Sequence, residues 1–257
     1  MIRFCLLGSG SSGNAVLVRT DTSKILIDTG LSLKQLELRA AQIGESLSGL
    51  NAVFITHEHG DHVRGLGVLT RRYDVPVYMT PGTQQCLPEG LGPVNRVQLI
   101  EAGDAIDIGD LSVNSFSVSH DAADPISFVV QSHGLKLGFA GDLGYVSHLV
   151  RDRLAGSDAL VLEANYCPDM LRASSYPASI RQRIDGKRGH LSNHAASSLL
   201  SNVMHDGLKL VVLTHISQEN NTPELALQRV SAVVKGRGTR VHVAHQDQPT
   251  EVFEIAV

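Results

Sequence analysis

The stretch Thr56-His57-Glu58-His59-Gly60-Asp61-His62 sets three imidazoles and an aspartate beside one another. Imidazole and carboxylate are the usual ligands of Zn²⁺ and its borderline neighbours, so the chemistry on offer is metal-assisted hydrolysis. In extended chain, residues two apart point the same way, so His57 and His59 can converge on one point. Asp61 and His62 fall on the next turn and can serve a second point nearby. The plain alternative is a run of solvated surface histidines. Against it stands the segment just before, Ala52-Val53-Phe54-Ile55, which reads as a buried strand. Behind the cluster, Val63 to Arg72 reads as a helix weakened by Gly65 and Gly67. The zinc-protease pattern His-Glu-x-x-His is excluded, because Asp61 stands where its second histidine belongs and Gly60 opposes a continuous helix.

Bulk composition narrows the class. The chain has 257 residues, 42% of them hydrophobic, which suffices for one large domain with a buried core. A net charge of −4 supplies no global basic field. Any grip on a nucleic-acid backbone must then come from a local patch or from bound cations. Cys5, Cys86 and Cys167 are odd in number and widely spaced, which fits a reducing cytosol better than a disulfide framework. No apolar run approaches the roughly 20 residues of a membrane helix. The apolar part of Met1 to Gly8 is too short for a signal peptide. The expectation is a cytoplasmic protein without membrane contact, either a monomer or a homodimer.

The elements that must position the cluster can be read in order. Ile2–Leu7, Asn14–Arg19 and Lys24–Asp28 read as three strands of a meander. Between the first two lies Gly8-Ser9-Gly10-Ser11-Ser12-Gly13, a literal match to the dinucleotide fingerprint Gly-x-Gly-x-x-Gly, with Asp28 downstream. The match fails on context, since the fingerprint must open a helix and a strand follows here. The loop is either a flexible glycine turn or a nest of N–H groups and hydroxyls facing a phosphate. A helix spans Leu33 to Ile43, with Leu33, Leu36, Ala40 and Ile43 on one face. Val75–Met79 is a strand and Thr80-Pro81-Gly82 opens a brief helix. Val97 to Val118 holds three strands separated by Gly-Asp turns and delivers His120. Ile126–Gln131 and Leu135–Ala140 form a hairpin that delivers Asp142. A short helix at Leu149–Leu154 precedes the strand Ala159–Leu162, which delivers Glu163. Tyr166 to Arg188 reads as polar and irregular. A helix from His194 to Met204 turns Ala195, Leu199 and Val203 inward. The strand Leu208–Leu213 delivers His215, and a helix at Leu225–Val234 and strands at Val241–Ala244 and Val252–Ile255 close the chain. One echo stands out: Val53-Phe54-Ile55-Thr56-His57 and Val211-Val212-Leu213-Thr214-His215 are both apolar strands ending in Thr-His.

Metal-binding side chains thus recur at strand ends, the arrangement that gathers a site on one edge of an α/β sheet. Counting ligands, His57, His59 and His120 would hold one cation and Asp61, His62 and His215 a second. Asp142, with two oxygens, would bridge them. Two divalent ions roughly 3.5–4 Å apart with water between them are a standard device for hydrolysing phosphate esters.

These residues in this order, with Asp28 ahead of them, resemble the metallo-β-lactamase superfamily and specifically its nuclease and phosphodiesterase branch. The β-lactamases usually carry Cys where Asp142 stands. The resemblance implies an α/β, four-layer αββα sandwich over residues 1–257, with a two-metal site at the edge of two sheets. Leu160-Val161-Leu162-Glu163-Ala164-Asn165 and Gly189-His190-Leu191-Ser192-Asn193 look like the Glu and Gly-His motifs of the tRNA 3′-processing nucleases. That likeness makes His190 the acid that protonates the leaving oxygen, Glu163 its partner, and Asp61 a ligand that also serves catalysis. The chain is more similar still to the YycJ/WalJ-type proteins, through Leu7 to Asn14, Gly189 to Asn193 and His215 to Pro223. What this implies is a 5′-to-3′ DNA exonuclease using two Zn²⁺ or Mn²⁺ ions and a metal-bridging hydroxide. Ser11, Ser12, Asn14, Ser192, Asn193, Ser217 and Asn220 in these stretches are the candidate substrate contacts. Asp28 is expected to hold a ligand histidine from behind. Arg172, Arg181, Arg183, Lys187 and Arg188 are either a basic lid over the nucleic acid or a solvated loop. Competing readings are an RNA-processing nuclease, a phosphodiesterase for small or cyclic phosphates, a thioester or lactam hydrolase, and a metal-dependent interaction module without turnover.

Overall fold

The computed structural model describes residues 1–256. Strands β1 (Ile2–Gly8), β2 (Ala15–Arg19) and β3 (Lys24–Ile27) form the antiparallel meander. Helix α1 (Leu33–Gln42) follows, capped by Ser32, and leads to β4 (Ala52–Phe54). The helix expected over Val63–Arg72 is two helices, α2 (Gly60–Val63) and α3 (Leu66–Tyr73). The break has a packing cause, since a Cβ on Gly65 would lie 2.2 Å from the carbonyl oxygen of Leu31. Strand β5 (Val77–Met79), helix α4 (Pro81–Gln85) and strand β6 (Val97–Leu99) complete the first half.

The second half runs β7 (Ala105–Ile108), β8 (Leu111–Ser117), β9 (Ile126–Ser132), β10 (Leu135–Ala140), α5 (His148–Leu154) and β11 (Ala159–Glu163). The segment read as irregular carries two short helices, α6 (Pro168–Ala173) and α7 (Ala178–Asp185). Neither buries more than one side chain, so a hydrophobic period was never there to find. Helix α8 (Asn193–Val203), β12 (Leu210–Thr214), α9 (Pro223–Val234), β13 (Arg240–Val243) and β14 (Phe253–Ile255) finish the chain. Helix α8 buries Ala196, Leu199 and Val203, so its inner face is turned by one residue from the expected Ala195.

The strands form two seven-stranded sheets, ordered β14-β1-β2-β3-β4-β5-β6 and β13-β12-β11-β10-β9-β8-β7. Three apolar layers hold four layers of structure together. Phe4, Phe54, Phe128 and Val212 lie between the sheets, where Phe54 and Phe128 meet edge to face at 5.4 Å. Leu36, Leu66 and Leu69 pack α1 and α3 on the outside of the first sheet, and Leu199, Leu200 and Val230 pack α8 and α9 on the second. This is the expected αββα sandwich. Strands β3 and β4 are parallel, as are β10, β11 and β12. Their C-terminal ends therefore open on one edge of the sandwich, which is what brings distant residues to a single cleft.

Candidate metal centre and active site

Three of the site residues close their strands in the left-handed region: Asp28 after β3 (φ 60°), Asp142 after β10 (φ 48°) and His215 after β12 (φ 56°). Such backbone is uncommon outside glycine and persists where the surroundings over-determine it. Here Asp28 N donates to Phe54 O at 2.8 Å and His215 N donates to Ser9 Oγ at 2.9 Å. Nothing in the local sequence announces these turns.

His57, His59 and His120 converge as expected. His57 Nε2 lies 3.0 Å and His120 Nε2 3.4 Å from His59 Nδ1. Burial pushes the imidazolium forms of His57 and His120 down, so both rings favour the neutral form a metal requires. Behind them His120 Nδ1 meets the Gly189 carbonyl at 3.0 Å, which fixes Nε2 as the ligand nitrogen.

The second group is knitted through carboxylates. His62 Nδ1 sits 2.8 Å from Asp28 Oδ2, the supporting role assigned to Asp28. His62 Nε2 lies 3.2 Å from Asp142 Oδ2 and 3.7 Å from Asp61 Oδ2. His215 Nε2 lies 3.9 Å from Asp61 Oδ2. His215 Nδ1 is 2.9 Å from Asp142 Oδ1, yet it is out of line for hydrogen bonding and is left buried without a hydrogen-bond partner. A nitrogen and a carboxylate oxygen that close but misaligned are what a shared cation would join. Two further groups, His57, His62 and Asp142, and Asp142, Glu163, His190 and His215, have ligand atoms within 4.8 Å of one another. With three ring nitrogens meeting at His59, these donor sets fit divalent cations.

His190 stands over this group. Its ring centroid is 5.2 Å from that of His120 and 5.0 Å from that of His215. His190 Nδ1 is 2.7 Å from Glu163 Oε1 and 3.5 Å from Asp142 Oδ1. Glu163 is fully buried, and its other oxygen accepts from Leu143 N at 2.9 Å and Leu191 N at 3.1 Å.

With this geometry in view, comparison with known proteins decides the family. A model of the beta-lactamase superfamily domain matches residues 23–216. The chain belongs to the metallo-β-lactamase superfamily. Within the superfamily it is similar to exodeoxyribonuclease YycJ of Bacillus anthracis, at 38% identity over 97% of this chain and 96% of that one. It is similar also to exodeoxyribonuclease WalJ of Streptococcus pneumoniae, at 37% identity over 87% of this chain and 85% of that one. The crystal structure of Zn²⁺-bound PqqB from Methylobacterium extorquens shares the fold at a TM-score of 0.74, with 20% identity over 97% of this chain and 99% of that one.

Most of the residues expected to contact substrate have partners within the protein. Asn14 does not point outward; its side chain contacts Asp61 and His62. Asn193 is buried and exchanges amide hydrogen bonds with Asn221 at 2.8 and 2.9 Å. Asn220 is buried too, its backbone N donating to Ser217 Oγ at 3.1 Å. Ser192 Oγ caps α8 by accepting from Ala195 N. Ser11 and Ser12 remain exposed. The arginines read as a basic lid are engaged within the protein. Arg183 pairs with Asp121 and Arg172 with Asp169. Arg188 reaches the carbonyls of His120 and Ala122, and Arg181 those of Ser174 and Tyr176.

The sequence reading missed three site-supporting residues. Thr56 Oγ1 contacts both oxygens of Asp28 and lies 3.0 Å from His57 Nδ1. Asp121 Oδ1 lies 3.3 Å from His120 Nε2. Ser9 Oγ lies 2.8 Å from Thr214 Oγ1. The repeated Thr-His strand ends were the available signal for two of them: each threonine hydroxyl meets a residue from the end of another strand.

Proposed function

We propose that this chain is a two-metal phosphodiester hydrolase that digests DNA from the 5′ end. It is an enzyme of the metal-dependent hydrolase class acting on ester bonds. His57, His59 and His120 would hold one cation and Asp61, His62 and His215 the other, with Asp142 available to both. Zn²⁺ and Mn²⁺ both suit these donors. When bound, two such ions acidify water toward neutral pH and offset charge on the phosphoryl oxygens.

The observation that carries the reading is His190 held by Glu163 beside the ligand cluster. With Nδ1 engaged by the carboxylate, Nε2 is the free ring nitrogen. Glu163 Oε1 holds the ring through Nδ1, which leaves Nε2 to carry a proton to the departing sugar oxygen. An alkoxide leaves poorly from phosphorus, so this transfer is worth roughly 10²–10⁴ in rate. The names of the YycJ and WalJ relatives, matched over most of the chain, support DNA as the substrate. Exposed Ser11 and Ser12, with half-buried Ser217, are the substrate contacts this reading uses. The chain acts as one domain.

The test is digestion of 5′- and 3′-labelled linear duplex DNA with added Mn²⁺ or Zn²⁺. Early release of the 5′ label, abolished in Asp142→Ala protein that has lost both cations, is the expected result. The internal engagement of the lid arginines favours a second reading, a phosphodiesterase for small or cyclic phosphates. Turnover of a cyclic nucleotide with labelled DNA ends left intact would select it.

A further inference from the structure

The glycine-rich loop from Gly8 to Asn14 offers Ser11 and Ser12 to the substrate, while its flanking Ser9 and Asn14 have no such task. Three of its amides are engaged within the protein. Gly10 N is taken by Asn14 Oδ1 at 2.7 Å, Gly13 N by Gly10 O at 2.9 Å, and Asn14 N by Asp61 O at 2.7 Å. Its two flanking polar side chains, Ser9 and Asn14, are each turned onto a different outer ligand of the second cation.

Asn14 is fixed first. Because Oδ1 accepts from Gly10, Nδ2 is the end that faces the site. It lies 3.3 Å from Asp61 Oδ2 and 3.0 Å from His62 Nε2. Ser9, 1% exposed, grips the other side: its Oγ accepts from His215 N at 2.9 Å and lies 2.8 Å from Thr214 Oγ1. Asp61 follows the first sheet and His215 follows the second, so Ser9 and Asn14 join ligands from the two halves through four intervening positions of chain. The glycines make this possible. Gly10 and Gly13 have φ of +109° and +148°, and a Cβ on Gly13 would lie 2.6 Å from Gly30 O. Gly30 in turn donates to Asn14 O at 2.8 Å, and its own Cβ would lie 1.6 Å from the Asp61 carbonyl oxygen.

We propose that Ser9 and Asn14 are positioning residues that set Asp61 and His215 at the separation the second cation requires. The inference rests on the two-cation reading above. Groups that orient a ligand from behind typically contribute 10–100-fold to metal affinity, whereas residues that only scaffold a loop affect all sites alike.

The experiment is calorimetric titration of the full-length, metal-free protein with Mn²⁺, alongside Asn14→Ala and Ser9→Ala and with melting curves of each metal-free form. Wild type should take two Mn²⁺. Each variant should keep the first at wild-type affinity, bind the second about 10–100-fold more weakly, and melt close to wild type without metal. Wild-type affinity for the second Mn²⁺ in both variants overturns the proposal. So does equal weakening of both sites with early melting, which marks the loop as scaffold. Fewer than two Mn²⁺ on wild type itself would instead sink the two-cation reading, and this proposal with it.

Discussion

His190 Nδ1 lies 2.7 Å from Glu163 Oε1, while Glu163 Oε2 holds the amides of Leu143 and Leu191. One carboxylate therefore orients the ring and at the same time fastens the loops that follow β10 and lead into α8. The two jobs separate by substitution. His190→Ala should lower kcat about 10²–10⁴-fold with metal content and melting unchanged. Glu163→Gln keeps an oxygen for the two amides but removes the charge from the group that holds the ring. It should lower kcat, and adding it to His190→Ala should cost little more. Full additivity in that double-mutant cycle would show that the pair does not act as a unit.

Asp28 does not depend on touching a metal for its effect. Its carboxylate accepts from Thr56 N at 2.9 Å and holds His62 Nδ1 at 2.8 Å. Asp28→Ala frees His62 to rotate and leaves the half-buried Thr56 amide unpaired. Metal affinity should fall about 10–100-fold, and the metal-free protein should lose about 1–3 kcal/mol of stability in denaturant titrations.

The metal-free protein should be sensitive to alkaline pH. Burial by itself would lower the His215 imidazolium, but the Asp142 carboxylate outweighs it and holds the pKa up at about 9. A group raised on folding stabilises the fold fully below its unfolded pKa, near 6.5, and that contribution is lost as pH rises through about 9. Thermal melts of metal-free protein should therefore fall in midpoint between pH 7 and about pH 9.5. Mn²⁺ binding at pH 7.5 should release protons, seen as a binding heat that changes with the ionisation enthalpy of the buffer.

Thiol chemistry reports on the first sheet. Cys5 lies in β1, and burial pushes its thiol up to about 12, whereas Cys86 is exposed. A disulfide reagent at pH 8 should modify Cys86 readily and leave Cys5 untouched until denaturant is added. Rapid labelling of Cys5 in native protein would place β1 outside the packed sheet.

Much of this architecture is written locally. The period-two and helical patterns mark nearly every strand and long helix, because burial of one face leaves a mark on neighbouring residues. The ligand types at strand ends are equally local, which is why His57, His59, Asp61, His62, His120, Asp142 and His215 are readable as a set. The short helices α6 and α7 escaped because they bury almost nothing. Partner choice also escaped. Arg183 looks like a free cation until Asp121 is seen beside it, and Asn14 looks like a substrate contact until Asp61 and His62 are.

The sequence by itself determined which side chains are chemically able to bind a metal or move a proton, and that strands deliver them. Only the tertiary structure decided which atom faces which. Ser9 meets His215 across 206 positions and His190 meets Glu163 across 27. Such contacts are set by the stacking of two sheets and by left-handed turns at Asp28, Asp142 and His215, and those turns are held by distant hydrogen bonds as well as by the residues themselves.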